Sequence, residues 1–358
     1  MSRANGFRSG GQVLVDQLRI HGVDTVFCVP GESYLTVIDA LHDAQNEIKT
    51  VACRQEGGAT NMAEAYGKLT GKPGVAMVTR GPGACNGSIG VHTAMQDSTP
   101  MVIFIGQVAR DQEYREAFQE VDYHKFYGAI CKEVVQIDSA DRVPELVSQA
   151  FHVAASGRPG PVAVSIPEDM QRDMVDVGDA RPFQTVRPEV GPKAMGAFRG
   201  HLASADRPLM ILGGAGWSEQ ACSDIKAFAE VNAIPVAASF RCQDLFDNMH
   251  KNYAGELGTS ASPKLAQRVK DADLLIVVGS RLGEMTSGGY SLVNLPVPQQ
   301  KLVHIYMDSS EMGRIYEPDL AIVGSMESFA AAARDMEPVV CGKWGDWMRQ
   351  AHQDYLDN

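Results

Sequence analysis

The sequence has little clustered positive charge. Its 358 residues carry a formal net charge of -12 and contain no run of Lys and Arg. Because nucleic acids and anionic membranes attract clustered cations, we expect neither as a partner. No apolar run approaches the ~20 residues of a membrane span, and the N-terminus lacks the apolar core of a signal peptide. These absences favour a cytoplasmic protein that acts on a small molecule.

Several motifs that would specify a chemistry are also missing. The seven cysteines include no CxxC pair, and the nine histidines show no HExxH or other ligand spacing, so we expect no metal site built by this chain. Neither a GxSxG elbow nor a GxxxxGK[ST] loop is present. The turn GGAGWS (213–218) departs from the dinucleotide fingerprint GxGxxG, because Glu219 replaces the last glycine.

Short apolar runs alternate with segments of helical periodicity, which predicts an α/β fold. Runs such as TVFCVP, PGVAMVTR and MVIFIGQ are continuously apolar, as is typical of parallel strands covered on both faces. We therefore predict two doubly wound parallel-sheet domains. The predicted segments are a first domain at 1–180, a proline-rich linker at 181–192, a second domain at 193–338 and the start of a further linker at 339–358.

A carboxylate and a glycine turn stand at the ends of two predicted strands. Glu56 follows TVACR, whereas Gly81 and Gly83 follow PGVAMVTR, with Asn86 in the first turn of the next helix. Ligands of parallel sheets bind beyond these carboxyl ends, and glycines let backbone amides approach them. Each feature alone also has a structural explanation, since a glutamate in a first helical turn complements the helix dipole and a GPG turn can be plain backbone geometry.

An ordered set of strings resembles the thiamine-diphosphate enzymes of the acetolactate synthase type. The strings are VPGES (29–33), RQEGGATNMAEAYG (54–67), TRGPGACNG (79–87), DSTPMVIFIGQV (97–108) and AFQE (117–120). The resemblance continues in GGAG, DADLLIVVGSRLGE and HIYMDSSEMG, so it covers nearly the whole chain. It implies a pyrimidine-binding domain followed by a Rossmann-like middle domain.

The resemblance also implies roles for the residues around Glu56. In such enzymes a glutamate at this position hydrogen-bonds a ring nitrogen of the cofactor's aminopyrimidine, which promotes removal of the thiazolium proton and attack on a 2-oxo acid. The residues expected around the cofactor are Pro30, Gly31, Glu32, Glu56, Thr79, Gly83, Asn86 and Gln119. Those expected in catalysis or on the substrate side are Glu56, Gln107, Phe118, Gln119 and Lys132.

Members of this family carry a third domain, marked by a GDG motif followed by Asn, that holds Mg2+ and the diphosphate. The strings GDA at 178 and GDW at 345 lack that context. We therefore expect the diphosphate-binding domain to be supplied in cis or in trans, and this chain alone to be inactive. A truncated chain, a proteolytic fragment and a natural split subunit all remain open. By analogy, the helices bearing GGATNMAEAYG and NGSIGVHTAMQDS form the face of a homodimer or tetramer.

The reaction is specified less closely than the family. AFQE and Lys132 favour decarboxylation of pyruvate and carboligation to a second 2-oxo acid, although Glu133 stands where the synthases commonly have His. A 2-oxo acid decarboxylase or other carboligase remains an alternative. So does a non-catalytic subunit that binds a nucleotide or stabilises a partner.

FAD is a further cofactor that the sequence disfavours. The strings GELG (255–258) and GSRLGE (279–284) stand where flavin-binding synthases typically show Met-His-Gly and Arg-Phe-Asp-Asp-Arg. Arg241 and Arg281 could still meet a nucleotide diphosphate, although arginines near such turns are often paired structurally.

Overall fold

The computed structural model describes residues 6–339 and 342–358 of the chain. These residues form two compact units, one up to Val186 and the other from Arg187 onward. Each unit is built on a six-stranded sheet whose neighbouring strands are all parallel, which confirms the predicted α/β fold. Within the described ranges, no helix is both long and apolar enough to cross a membrane.

The first unit combines the parallel sheet with helices and a short ribbon. The strands of the sheet are β2 (Thr25–Cys28), β3 (Lys49–Ala52), β4 (Gly74–Val78), β5 (Met101–Gln107), β6 (Glu133–Gln136) and β7 (Pro161–Pro167). The antiparallel ribbon pairs β1 (Arg8–Ser9) with β8 (Met174–Val175). The helices are α1 (Gly10–Ile20), α2 (Leu35–Asp43), α3 (Glu56–Thr70), α4 (Pro82–Asp97), α5 (Tyr123–Tyr127) and α6 (Val143–Ala155).

The order of the strands places a crevice between β2 and β4. Across the sheet the strands follow the order β3-β2-β4-β5-β7-β6. The chain leaves β2 toward β3 on one side and leaves β4 toward β5 on the other, so the direction of winding changes between β2 and β4. Ligands of doubly wound sheets bind at the carboxyl ends of such a strand pair. The turns that follow β2 and β4 therefore define the position of a candidate site.

Local sequence determines how α3 and α4 begin and how closely they pack. Gln55 is the N-cap of α3, and its side chain accepts a hydrogen bond from the Gly58 N–H (2.9 Å). Before α4, Gly81 adopts a positive φ of 56°, which favours glycine. A Cβ on Gly90 of α4 would overlap the Thr60 hydroxyl of α3. The small residues noted in these helices thus permit close packing of α3 on α4.

The second unit has the strand order of a dinucleotide-binding sheet. Its strands are β9 (Pro208–Leu212), β10 (Val236–Ser239), β11 (Tyr253–Leu257), β12 (Leu274–Val278), β13 (Lys301–Tyr306) and β14 (Leu320–Val323). Its helices are α7 (Pro192–Ser204), α8 (Glu219–Val231), α9 (Pro263–Asp271), α10 (Met326–Arg334) and α11 (Gly342–Leu356). The order β11-β10-β9-β12-β13-β14 reverses its winding between β9 and β12.

The end of the chain forms part of the second unit. Residues 339–358, predicted as the start of a linker, contain α11, and its Trp344 is fully buried. Trp344 donates from Nε1 to the Ala205 carbonyl (3.0 Å), and Trp347 donates to the Pro208 carbonyl (2.9 Å). These contacts hold α11 against the second unit. Residues 340 and 341 lie outside the described part of the chain.

The first part of the predicted linker at 181–192 packs on the first unit. His21 is buried against Phe151, with ring centroids 4.9 Å apart, and its Nδ1 accepts the Phe183 N–H at 3.2 Å. Burial lowers the pKa of His21 to about 4, and the neighbouring His152 contributes in the same direction. The neutral imidazole of His21 thus helps to hold Phe183 against the first unit.

Candidate functional site

The turns after β2 and β4 are joined by a short hydrogen-bonded contact. A Cβ on Gly31 would overlap the Thr79 side chain, so only glycine fits there without a shift. The hydroxyl groups of Ser33 and Thr79 lie 2.8 Å apart, and Ser33 Oγ accepts the N–H of Arg80 at 3.1 Å. Ser33 itself is fully buried. The two turns therefore form one fixed wall of the crevice.

The structure brings Glu56 to the same edge of the sheet. Glu56 is the first residue of α3, and its Oε2 accepts a hydrogen bond from Asn86 Nδ2 at 3.0 Å. A Cβ on Gly83 would lie 3.4 Å from Glu56 Oε1 and 2.8 Å from Thr79 Cγ2. The absence of a side chain at Gly83 thus lets Thr79 pack against this turn beside the carboxylate. Glu56, Thr79, Gly83 and Asn86, which the sequence predicted together, lie together.

This geometry gives the Glu56 carboxylate two different environments. One oxygen is engaged by the Asn86 amide, which fixes the orientation of the carboxylate. The other oxygen, Oε1, has no hydrogen-bond partner among the described contacts and lies beside Gly83. The positive end of the α3 dipole favours negative charge at this position. The group can therefore accept a strong hydrogen bond from a ligand N–H, since hydrogen bonds to ionised acceptors are the stronger class.

Pro30 and Glu32 occupy the turn after β2, and both are exposed. Glu32 Oε1 lies 3.3 Å from Arg80 Nη2. The predicted cofactor residues of this turn therefore line its outer surface, where an incoming ligand could reach them. Arg80 was not among the predicted site residues.

Arg80 is a buried cation that contacts three parts of the edge. It is only 8% exposed, and besides Glu32 it pairs with Glu168 (Nη1 to Oε2, 2.9 Å). Its Nε donates to the Phe118 carbonyl at 3.2 Å. The sequence signal was present in TRGPG, where a cation directly follows a buried strand. Burial of a charge is costly without partners, and these partners explain how the structure accommodates it.

The segment from Tyr114 to Glu120, here called the edge loop, carries Phe118 and Gln119, two of the residues predicted on the substrate side. Tyr114, Glu116 and Gln119 all have positive φ angles, of 62°, 54° and 65°. The Glu120 carboxylate accepts the N–H groups of Tyr114 (2.6 Å) and Ala117 (3.0 Å). Several left-handed residues in so short a segment require strong support from the surroundings.

The edge loop presents Phe118 outward and Gln119 toward the glycine turn. The Phe118 residue is 72% exposed. A Cβ on Gly81 would lie 2.7 Å from the Gln119 carbonyl oxygen. The Gly81 N–H donates to the Tyr123 hydroxyl at 3.0 Å, and burial raises the pKa of Tyr123 to about 12. The loop is thus closely packed at its C-terminal end and open at Phe118.

Gln107, which was predicted on the substrate side, is buried and hydrogen-bonded within the chain. It is 4% exposed, its Nε2 donates to the Val121 carbonyl (2.9 Å), and its Oε1 accepts the Val108 N–H (3.0 Å). Both ends of the carboxamide are therefore used within the chain. Gln107 anchors the segment that follows the edge loop through the Val121 carbonyl.

Lys132 lies at the opposite end of the sheet from Glu56. It precedes β6, and its backbone N–H donates to the Pro161 carbonyl at the start of β7. Its Nζ donates to the carbonyls of Val153 (2.5 Å) and Ser156 (2.6 Å) at the end of α6. A cation at this position caps free carbonyls and complements the helix dipole. The structure thus places Lys132 away from Glu56 and gives its ammonium group two backbone carbonyls as partners.

The sequence predicts no metal site in this chain and disfavours a flavin, and the contacts relevant to both are as follows. Among the residues that the structure describes, no group of three or more His, Cys, Asp or Glu side chains could hold a metal ion. At the crevice of the second unit, Trp217 Nε1 donates to the Gly213 carbonyl (2.9 Å), and a Cβ on Gly279 would overlap that same carbonyl.

The first turn of α8 is unsuited to a dinucleotide pyrophosphate. Its N-cap Ser218 already accepts a hydrogen bond from the Ala221 N–H (3.2 Å), and Glu219 adds a negative charge. Pyrophosphate binding requires free N–H groups and favours positive potential at this position. Arg241 stacks over Phe240, 5.1 Å from the ring centroid. These features of the crevice do not favour a bound pyrophosphate.

Comparison with known families identifies both units. Residues 8–126 match the N-terminal TPP binding domain of thiamine pyrophosphate enzymes, and residues 197–333 match the central domain of the same enzymes. The chain therefore belongs to the thiamine pyrophosphate enzyme family, whose cofactor is thiamine diphosphate. The first match includes the Glu56 site, the glycine turn and the edge loop.

Individual relatives are large subunits of acetolactate synthases. The chain is 36% identical over 326 residues to an acetolactate synthase large subunit of Parasynechococcus marenigrum, an alignment that covers 89% of this chain and 52% of the relative. It is 35% identical over 327 residues to the acetolactate synthase isozyme 2 large subunit of Escherichia coli, with coverage of 90% and 58%. The chain thus spans about half the length of the curated relatives it matches.

Proposed function

We propose that this chain forms the aminopyrimidine-binding half of a thiamine-diphosphate site in an enzyme of the acetolactate synthase type. The observation that carries the proposal is the Glu56 carboxylate, which Asn86 holds through one oxygen while the other oxygen has no partner among the described contacts. Thiamine diphosphate, when bound, supplies a thiazolium ring that accepts the electrons released by decarboxylation of a 2-oxo acid. Family membership and the names of the relatives support this chemistry.

The residues of the chain divide into two roles. Glu56 holds a proton between its free oxygen and a ring nitrogen of the pyrimidine, while Asn86 keeps the carboxylate in position. Gly31 and Gly83 let Thr79 pack against both of their turns, which holds these turns together beside Glu56. Pro30 and Glu32 line the same turn at the surface. Phe118 and Gln119 of the edge loop face the 2-oxo acid substrate.

The other half of the site comes from outside the described residues. In our proposal, Mg2+ and the diphosphate are held by a diphosphate-binding domain supplied in cis or in trans, within a homodimer or tetramer. Carboxylate and carbonyl oxygens suited to Mg2+ would lie there. Calorimetric titration of thiamine diphosphate with Mg2+ into the 358-residue chain should show weak or undetectable binding. Tight binding would mean that this chain holds the diphosphate itself.

Product analysis tests the proposed reaction. An assembly that contains this chain and the diphosphate-binding domain should convert pyruvate to acetolactate, whereas release of acetaldehyde would indicate a simple decarboxylase. Glu56→Gln should lower turnover at least ~100-fold, in the range found for loss of general acid–base catalysis. Glu145→Gln is the matched control, because that carboxylate is exposed on α6 and pairs only with Arg142 among the contacts described. Near-normal turnover by Glu56→Gln would contradict the proposal.

Flavin is not part of our proposal, because the first turn of α8 carries the acidic Glu219 and has one N–H already engaged by Ser218. The assembly should therefore contain no flavin after purification without added cofactor. Stoichiometric flavin released by denaturation would refute this inference.

A further inference from the structure

Arg80 connects the proposed cofactor side of the edge with the proposed substrate side. On one side, Nη2 lies 3.3 Å from Glu32, and the backbone N–H donates to Ser33 Oγ. On the other side, Nε donates to the carbonyl of Phe118 in the edge loop. A single buried side chain thus contacts both walls between which a substrate would bind.

The chemistry of the guanidinium group suits this bridging position. Its donors point in fixed directions within one plane, so several acceptors can be bound at once without loss of geometry. Glu168 forms the closest ion pair, at 2.9 Å, and both partners are partly or largely buried. This pair fixes the plane of the guanidinium. Consequently, the direction of Nε, and with it the position of the Phe118 carbonyl, is also fixed.

The edge loop depends on such support more than an ordinary loop does. The left-handed conformations of Tyr114, Glu116 and Gln119 are costly for residues other than glycine. Contacts with the Glu120 carboxylate stabilise the first part of the loop internally. At Phe118, the hydrogen bond from Arg80 ties the loop to the sheet. Without it, the exposed Phe118 ring has little to hold it in one place.

We propose that Arg80 is a positioning residue that fixes the edge loop and thereby places Phe118 and Gln119 for the substrate. It acts through the Phe118 carbonyl and is itself oriented by Glu168. Its guanidinium side chain is only 10% exposed and already pairs with Glu168 and Glu32, so direct binding of a substrate carboxylate would require displacing one of them. The effect on substrate rests on the proposed function; the effect on the loop does not.

Limited proteolysis measures the loop independently of any cofactor. Arg115 is exposed within the edge loop and provides a trypsin site. In Arg80→Gln, cleavage after Arg115 should become roughly tenfold faster, because loss of charge-assisted hydrogen bonds raises the population of the open loop. Cleavage at sites outside the loop serves as the internal reference for global unfolding.

Two further variants sharpen the test. Arg80→Lys keeps the charge but cannot serve Phe118 and Glu168 in the same fixed geometry, so we expect faster cleavage there as well. Arg142→Gln is the matched control, since it removes an exposed arginine that pairs with Glu145 on α6. If Arg80→Gln does not fold, the rate of cleavage after Arg115 in Arg80→Lys tests the proposal instead. Unchanged cleavage after Arg115 in a folded Arg80 variant would overturn the proposal.

Kinetics in the complete assembly distinguish positioning from mere structural support. Misplacement of substrate-contacting groups by an ångström can cost about 100-fold, so the Arg80 variants should raise the KM for the 2-oxo acid or lower kcat by a larger factor than they weaken thiamine-diphosphate binding. Unaltered KM and kcat would overturn the role toward substrate, even with faster cleavage. If the parent assembly itself has no activity, the proposed function fails, whereas the proteolysis result still decides the loop.

Discussion

Replacing one of two glycines near Glu56 by alanine should separate the packing of the site from ordinary helix propensity. Gly58 lies in α3, and a Cβ there would have no other atom within 4 Å. Gly83 lies in the first turn of α4, and a Cβ there would approach Thr79 Cγ2 to 2.8 Å. Both positions are helical, so the gain in backbone stability from alanine is comparable, about 0.5–1 kcal/mol.

The predicted difference comes from the contact at Gly83. Alanine at Gly58 should raise the free energy of unfolding by the propensity gain alone. At Gly83 a contact under 3 Å must be relieved, and overpacking of this kind costs about 1–3 kcal/mol. Gly83→Ala should therefore be about 1–3 kcal/mol less stable than Gly58→Ala, the difference being the overpacking cost.

Urea unfolding followed by circular dichroism and by tryptophan fluorescence provides the assay. All three tryptophans, Trp217, Trp344 and Trp347, lie in the second unit, so fluorescence follows that unit alone. The two variants should differ in the transition followed by circular dichroism, while fluorescence gives the transition of the second unit for comparison. Equal stability of Gly83→Ala and Gly58→Ala would refute the conclusion that the backbone at Gly83 is tightly enclosed.

Two other substitutions test structural conclusions about the first unit. Burial lowers the pKa of His21 from 6.5 to about 4. The parent is therefore fully stable with respect to this group above pH 6.5, where His21 is neutral, and its free energy of unfolding falls by up to about 3 kcal/mol as the pH drops toward 4. Urea unfolding of His21→Gln should show a weaker pH dependence over this range, and a profile identical to the parent's would contradict the burial of a neutral His21. Lys132→Met should lower the free energy of unfolding by about 1–3 kcal/mol, because it removes hydrogen bonds to the Val153 and Ser156 carbonyls. The KM of the assembly for the 2-oxo acid should stay unchanged. A large rise in that KM would instead support a role of Lys132 at the substrate site.

The doubly wound fold was predictable because its causes are local and repeated. Continuous apolar runs such as those of β4 and β5 are fully buried in the structure, as parallel strands between helix layers must be. The cluster of Glu56, Gly83 and Asn86 was also predictable, since residues at the carboxyl ends of neighbouring strands share one edge.

The position of individual side chains was harder to predict from the sequence, because it depends on which end of a strand the residue occupies and on partners distant in the chain. Lys132 stands next to a strand, and nothing in its local pattern shows that it precedes β6 and caps α6 at the far edge. Gln107 ends a strand at the correct edge, yet its partners are backbone groups of the following segment. The role of Arg80 requires Glu168, 88 positions away in the chain, and no local pattern reveals that pairing.

Exchange of the acidic thiazolium proton of bound thiamine diphosphate for deuterium, measured by quenched-flow NMR, would test the role of Glu56 most directly. The measurement uses an assembly that contains this chain and the diphosphate-binding domain, with Glu145→Gln as the control. We predict fast exchange in the parent and the control, and exchange at least ~100-fold slower in Glu56→Gln with the cofactor still bound. Equal exchange rates in the parent and Glu56→Gln would contradict the assignment of Glu56 as the residue that activates the cofactor.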